Sequence, residues 1–185
     1  MDFPHLLARL TALLQQRRPA YYATLLPPAT VAELAAFEAE FNLTLPPELR
    51  AWWGWHNGQQ GFESLYGSHG LQSVSSAAET MRVNFDLLDE YVPNWWRMAW
   101  VPVLENGGGD HICLDTEGTF TGQPGQLVEH WHDWESRTVL YPNLTAWLAA
   151  VVSAYEETDG PLTEEQVADL ELDDSAGFPQ EFEAG

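Results

Sequence analysis

The chain of 185 residues has no lysine, a single cysteine and no long unbroken apolar run, and each shortage removes a class of protein. Its seven basic residues, all arginine, stand against 28 acids, for a formal net charge of -21. Affinity for phosphate backbones comes largely from Lys and Arg displacing counterions, so this composition excludes a nucleic-acid partner and disfavours an anionic membrane surface. The lone Cys113 cannot form an internal disulfide; within Ile112-Cys113-Leu114 it reads as a small core residue, and a reducing, cytoplasmic compartment is the default. The longest apolar segment, Leu144 to Tyr155, is well short of the roughly 20 residues that cross a bilayer. Phe3, Leu6, Leu7, Leu10, Leu13 and Leu14 follow a helical period, unlike the continuous core of an export signal.

What remains is globular. Hydrophobic residues make up 45% of the chain and nine are tryptophan, enough to bury one core without disulfides or metal. The negative field favours solubility, and it also steers and holds a basic protein partner.

Periodicity predicts a first helix over residues 3–18, closed by Arg17-Arg18-Pro19. Thr30 and Glu33 form a capping box for a second helix bearing Leu34, Phe37 and Phe41 and ended by Asn42. Pro46-Pro47 opens a third with Leu49, Trp52 and Trp53, stopped by Gly54 or by Asn57-Gly58. Short strands are expected at Gly61–Tyr66 and Leu71–Val74, then a helix capped by Ser75 or Ser76 that runs through Met81, Phe85 and Leu88 to Pro93. A strand near 98–103, the glycine turn Gly107-Gly108-Gly109, a return strand His111–Asp115 and a long strand Gln126–Trp134 precede an aromatic helix from Leu144. Helices, then hairpins, then a helix give an α+β fold. After Tyr155, eleven acids and no base mark a change of composition, so the domain is assigned to residues 1–155 and an acidic C-terminal extension to 156–185. Thr163 with Gln166 suggests a short helix there, although such runs are more often simply solvated.

No catalytic constellation stands out. His130-Trp131-His132-Asp133 places two imidazoles on one face if the segment is a strand, yet two histidines fall short of the three protein ligands of a catalytic zinc, and no metal or other cofactor is expected. The glycine run lacks the Lys-Ser/Thr and the helix start of a phosphate loop, and no serine sits in a Gly-x-Ser-x-Gly elbow.

Leu45-Pro46-Pro47-Glu48-Leu49, Trp52-Trp53, His56-Asn57-Gly58, Trp100-Val101-Pro102-Val103, Gly108-Gly109-Asp110, His111 to Asp115, Gly125 to Asp133 and Leu144 to Leu148 follow one another in an order that resembles the SMI1/KNR4 family of the SUKH superfamily. Trp53-Gly54-Trp55 departs from the usual residues before Asn-Gly, and the acidic tail lies outside the family core. The resemblance implies a twisted, mainly antiparallel sheet with helices packed around it, no catalytic activity and a protein partner. Bacterial members look like immunity proteins against polymorphic toxins, often nucleases or deaminases; fungal members look like scaffolds in cell-wall signalling. A toxin-neutralising immunity protein is therefore the first expectation, a scaffold or adaptor the second and a metal-dependent hydrolase the third.

Family motifs specify the fold rather than the partner, so the candidate contact residues come from chemistry. Trp95 and Trp96 beside Asp86, Asp89 and Glu90 offer aromatic anchors ringed by charge, with Glu63, Glu105, His132 and Glu135 at strand ends and loops.

Overall fold

A computed structural model describes residues 2–87 and 95–183. The N-terminal third is helical, with α1 (Phe3–Arg17), α2 (Pro19–Tyr22), α3 (Val31–Phe41) and α4 (Pro47–Trp55). Local chemistry sets their ends. The Asp2 carboxylate accepts the His5 N–H at the start of α1; Thr30 and Glu33 close a capping box on α3; Asn42 ends α3 in the left-handed region at φ 50°. Helix α4 runs through Gly54 and stops at His56, so the stop falls at the later of the two expected positions.

The remaining elements are β1 (Gly70–Leu71), α5 (Val74–Asp86), β2 (Trp100–Glu105), β3 (His111–Asp115), β4 (Leu127–His130), β5 (Ser136–Tyr141), α6 (Leu144–Glu157), α7 (Glu164–Ala168) and β6 (Gln180–Glu183). The six strands lie in chain order in one antiparallel sheet. Every residue of β3 and all but the last of β2 are buried, which means that both faces of the sheet's middle are covered. Helix α5 packs on β2 and α6 on β5, and α1 and α4 lie against α6. The core joins Trp52, Trp53, Trp100 and Trp147, all fully buried, with Cys113 among the buried strand residues. Pro102 cannot donate to the ladder, and β2 accommodates it with a register shift between Pro102 and Leu104.

Four expectations are corrected. No strand forms over Gly61–Tyr66, and the one expected at Leu71–Val74 shrinks to Gly70–Leu71. Ser73, not Ser75 or Ser76, caps α5, because its side chain accepts the Ser76 N–H while the Asn57 amide oxygen takes the Val74 N–H. The strand expected over Gln126–Trp134 ends at His130, and a turn through 131–135 leads into β5. The end of α5 beyond Leu87 lies outside the described residues.

The acid-rich segment packs on the body. Its acids face solvent while Leu162 and Val167 are buried and Leu170, Leu172, Phe178 and Phe182 are half-buried. A Thr163–Gln166 capping box starts α7, and the buried Arg18 guanidinium reaches Glu164, the Ser64 carbonyl and the Tyr155 hydroxyl. Strand β6 then closes the sheet beside β5, and Phe182 stacks on Phe120 with centroids 4.9 Å apart.

Candidate functional site

The chemistry gathers at one end of the sheet, where the β2–β3 turn, the β4–β5 turn and helix α5 meet. Asn106 builds the first turn: its amide oxygen accepts the N–H groups of Gly108 (2.7 Å) and Asp110 (3.2 Å), and its amide nitrogen donates to the Asp110 carboxylate (2.6 Å). Gly107 and Gly109 supply the positive φ angles, 73° and 102°, that the turn requires. Asp110 is thereby fixed and reaches across to the second turn, where one of its oxygens accepts the His132 backbone N–H at 2.9 Å and lies 2.8 Å from its Nδ1. That bond takes residue 132 out of the strand ladder. His130 and His132 therefore do not share a strand face: His130 is buried on β4, and His132 is exposed in the turn.

The second turn displays aromatic surface. Trp131 is 39% and Trp134 61% exposed, and with Asp133, Ser136, Thr138 and Glu181 they line a shallow hollow of about 360 Å³. Beneath them, Arg137 is fully buried and donates to the carbonyls of Trp95, Trp134 and Ser136, its guanidinium carbon 4.9 Å from the centroid of the Trp95 ring. This one buried cation ties the displayed turn to the wall of the groove beside it.

That groove, about 440 Å³, runs between α5 and the sheet. Glu79 and Thr80 line it from the helix, Glu105, His111 and His130 from the strands, and Trp95 from one end. Burial holds the His111 imidazole down to about 4, with His69 adding to the effect; burial, then Arg137 and His111, hold that of His130 down to about 3. Both rings are neutral near pH 7. Burial also raises the Glu105 carboxyl, against a long 3.3 Å hydrogen bond from Ser76. His132 behaves oppositely, its pKa raised first by the hydrogen bond to Asp110.

The residues chosen from sequence distribute unevenly over this end. Glu63 and Glu105 line a second, smaller cavity of about 110 Å³ next to Phe62, which is 99% exposed. Glu105, Trp95 and His132 share the groove, and Glu135 stands exposed in the aromatic turn. Trp96 is corrected: at 2% exposure it packs edge-on to His130, 5.0 Å between centroids, and is unavailable as a surface anchor. Asp86 is exposed at the last residue of α5 and lines neither the groove nor the hollow, while Asp89 and Glu90 lie outside the described residues. Sequence reading passed over Trp134, Phe62, Glu79 and His111. The signal for Trp134 was present in the dense His-Trp-His-Asp-Trp-Glu run, hidden by its resemblance to an alternating strand.

Among the described residues, Asp110, His132 and Asp133 are the group whose ligand atoms come within 4.8 Å of one another as a cation site requires. His130 is not a member of that group. No described helix is long and apolar enough to cross a membrane.

A comparison with protein families matches residues 28–150 to the family described as SMI1 / KNR4 (SUKH-1). A comparison with curated proteins gives no match.

Proposed function

Because the chain belongs to the SMI1/KNR4 family (SUKH-1), we propose that it is a non-catalytic, cytoplasmic immunity protein that binds a cognate bacterial toxin domain and blocks its active site. The partner is a toxin with a basic cleft, such as a nuclease or deaminase. The observation that carries this reading is the aromatic turn: Trp131 and Trp134 stand out from the surface amid Asp133, Glu135 and Glu181, on a chain of net charge -21. Large rings surrounded by carboxylates combine the apolar anchor and the electrostatic complementarity that tight interfaces against basic proteins use. The same turn is held from below by Arg137 and from the side by Asp110, so little conformational freedom is lost when it docks.

The test is co-expression with the toxin encoded beside this gene. Growth should be restored and the two purified chains should co-elute as a stoichiometric complex. Raising ionic strength should slow association more than it speeds dissociation. Loss of both rescue and co-elution with every adjacent toxin candidate overturns the reading.

A further inference from the structure

We propose that the groove between α5 and the sheet is a receptor for one arginine side chain of the protein partner, the guanidinium lying between Glu79 and Glu105 with the rings of His111 and His130 at its floor. This deepens the immunity-protein reading and rests on it for the identity of the partner, but not for the chemistry of the groove.

Four observations converge. First, His130 is 2% exposed and lines the groove, yet neither of its ring nitrogens meets a hydrogen-bond partner within the protein. A buried imidazole without partners costs free energy, and a ligand that approaches it with polar atoms recovers that cost. Second, Glu105 is half-buried with only the long Ser76 hydroxyl bond, and burial raises its carboxyl, the condition that an incoming cation relieves. Third, no arginine lines the groove and the chain has no lysine; Arg82, on the same helix as Glu79, acts on that carboxylate but its guanidinium is bound to Glu40, outside the groove lining. The buried Arg137 stacks on the Trp95 ring and is already held by three carbonyls. Fourth, the histidines are neutral, so they do not repel a cation and keep an acceptor nitrogen available.

Guanidinium fits better than ammonium. It is planar, carries five donors spread in a fork, is weakly hydrated and tolerates aromatic walls, whereas an ammonium is a compact and strongly hydrated point charge. The groove offers acceptors spread over three elements, Glu79 and Thr80 on α5, Glu105 on β2 and the imidazoles on β3 and β4, and that spread suits a fork. An anion is disfavoured by the carboxylates. A metal held by His111, His130 and Glu105 is not supported, since those residues do not bring ligand atoms within coordinating distance of one another.

The experiment is an NMR titration of the full chain with N-acetyl-arginine methylamide, with the lysine and citrulline analogues as comparisons, read at the ring resonances of His111 and His130. The arginine probe should shift both rings saturably; the citrulline probe, equal in shape but uncharged, should not. Glu105→Gln should weaken the arginine probe about tenfold, the scale of one lost charge-assisted hydrogen bond. Glu79→Gln, on an exposed helix face, should do the same and serves if the strand variant folds poorly. Unshifted rings, equal response to citrulline, or unchanged affinity in both variants overturns the proposal, as does a stoichiometric shift by Zn²⁺ that the arginine probe cannot reverse. Probe binding without any toxin complex leaves the groove assignment standing and removes the immunity reading. A toxin complex indifferent to Glu105→Gln and Glu79→Gln, with no probe binding, does the reverse.

Discussion

Asp110 and His132 lie on different turns, 22 positions apart, and a single Asp110 oxygen engages both the backbone N–H and Nδ1 of His132, at 2.9 and 2.8 Å. The pair latches the glycine turn to the aromatic turn. Its contribution to stability has a window. The His132 pKa is raised by this bond, so its share is complete below the ordinary imidazole value of 6.5 and fades as pH rises through the higher folded value. Burial acts to raise the Asp110 carboxyl, but the bonds from His132 and Asn106 win and hold it below 3.8, so its share is present above 3.8 and fades as pH falls through the lower folded value. The latch is therefore at full strength between these limits. Denaturant unfolding should show His132→Asn to be less stable than the parent near pH 5.5 and closer to it near pH 9; the reverse order would show that the bond does not titrate as described.

The buried histidines slope the other way. His111 and His130 have folded pKa values near 4 and near 3, well under the unfolded 6.5, so the unfolded chain binds protons first as acid is added. Stability should fall as pH drops below about 6.5, approaching about 1.4 kcal/mol per pH unit for each ring. His130→Phe removes one of the two slopes and keeps a ring against Trp96. The urea midpoint of the parent should fall more steeply than that of the variant as pH drops from 7 towards about 4, and parallel curves would refute the assignment.

Gly109 sits at φ 102°, and a Cβ there would lie 3.4 Å from the His132 ring. A β-branched side chain in that backbone region costs about 1–2 kcal/mol or more. Gly109→Val should lower the melting temperature and weaken binding only through the turn's disorder; binding lost at an unchanged melting temperature would contradict this.

Trp134 and Trp96 separate surface from core. Trp134→Ala, at a position 61% exposed, should leave the melting temperature nearly unchanged while weakening the proposed complex with a toxin by at least about 2 kcal/mol, as an aromatic hot spot does. Trp96→Ala should instead destabilise the fold by about 3–5 kcal/mol, the usual result of emptying a large core site. Calorimetry of each variant, alone and with the partner, distinguishes them.

How legible each feature was depends on how local its cause is. The Thr30–Glu33 and Thr163–Gln166 capping boxes span four residues and appear in the structure as read. The return strand His111–Asp115 has the same limits in sequence and structure, because a run of apolar residues behind a glycine turn leaves few alternatives. The break after His130 was hidden because its cause, Asp110, is distant: alternation continues through residue 134 while the ladder does not. Trp95-Trp96 looked like one exposed pair, and only the surrounding imidazoles and Trp100 decide that the second ring turns inward. The groove itself was invisible, since α5, β2, β3 and β4 contribute to it from widely separated positions.

The two ends of the chain hold each other. Arg9 pairs with Glu156, Arg17 donates to the carbonyls of Tyr155 and Thr158, and Arg18 reaches Glu164, all bonds between segments flanking the family-matched residues 28–150. During synthesis, then, the leucines of α1 emerge about 140 residues ahead of the surface that will cover them. Until α6 leaves the ribosome, that stripe has only α2 and α4 to pack on, and contacts so distant in sequence as those with α6 make for slow closure of the domain. A fragment cut to residues 28–150 would carry that difficulty permanently: it lacks α1 and stops within α6, so the turns of α6 that remain lose the helix that covers them.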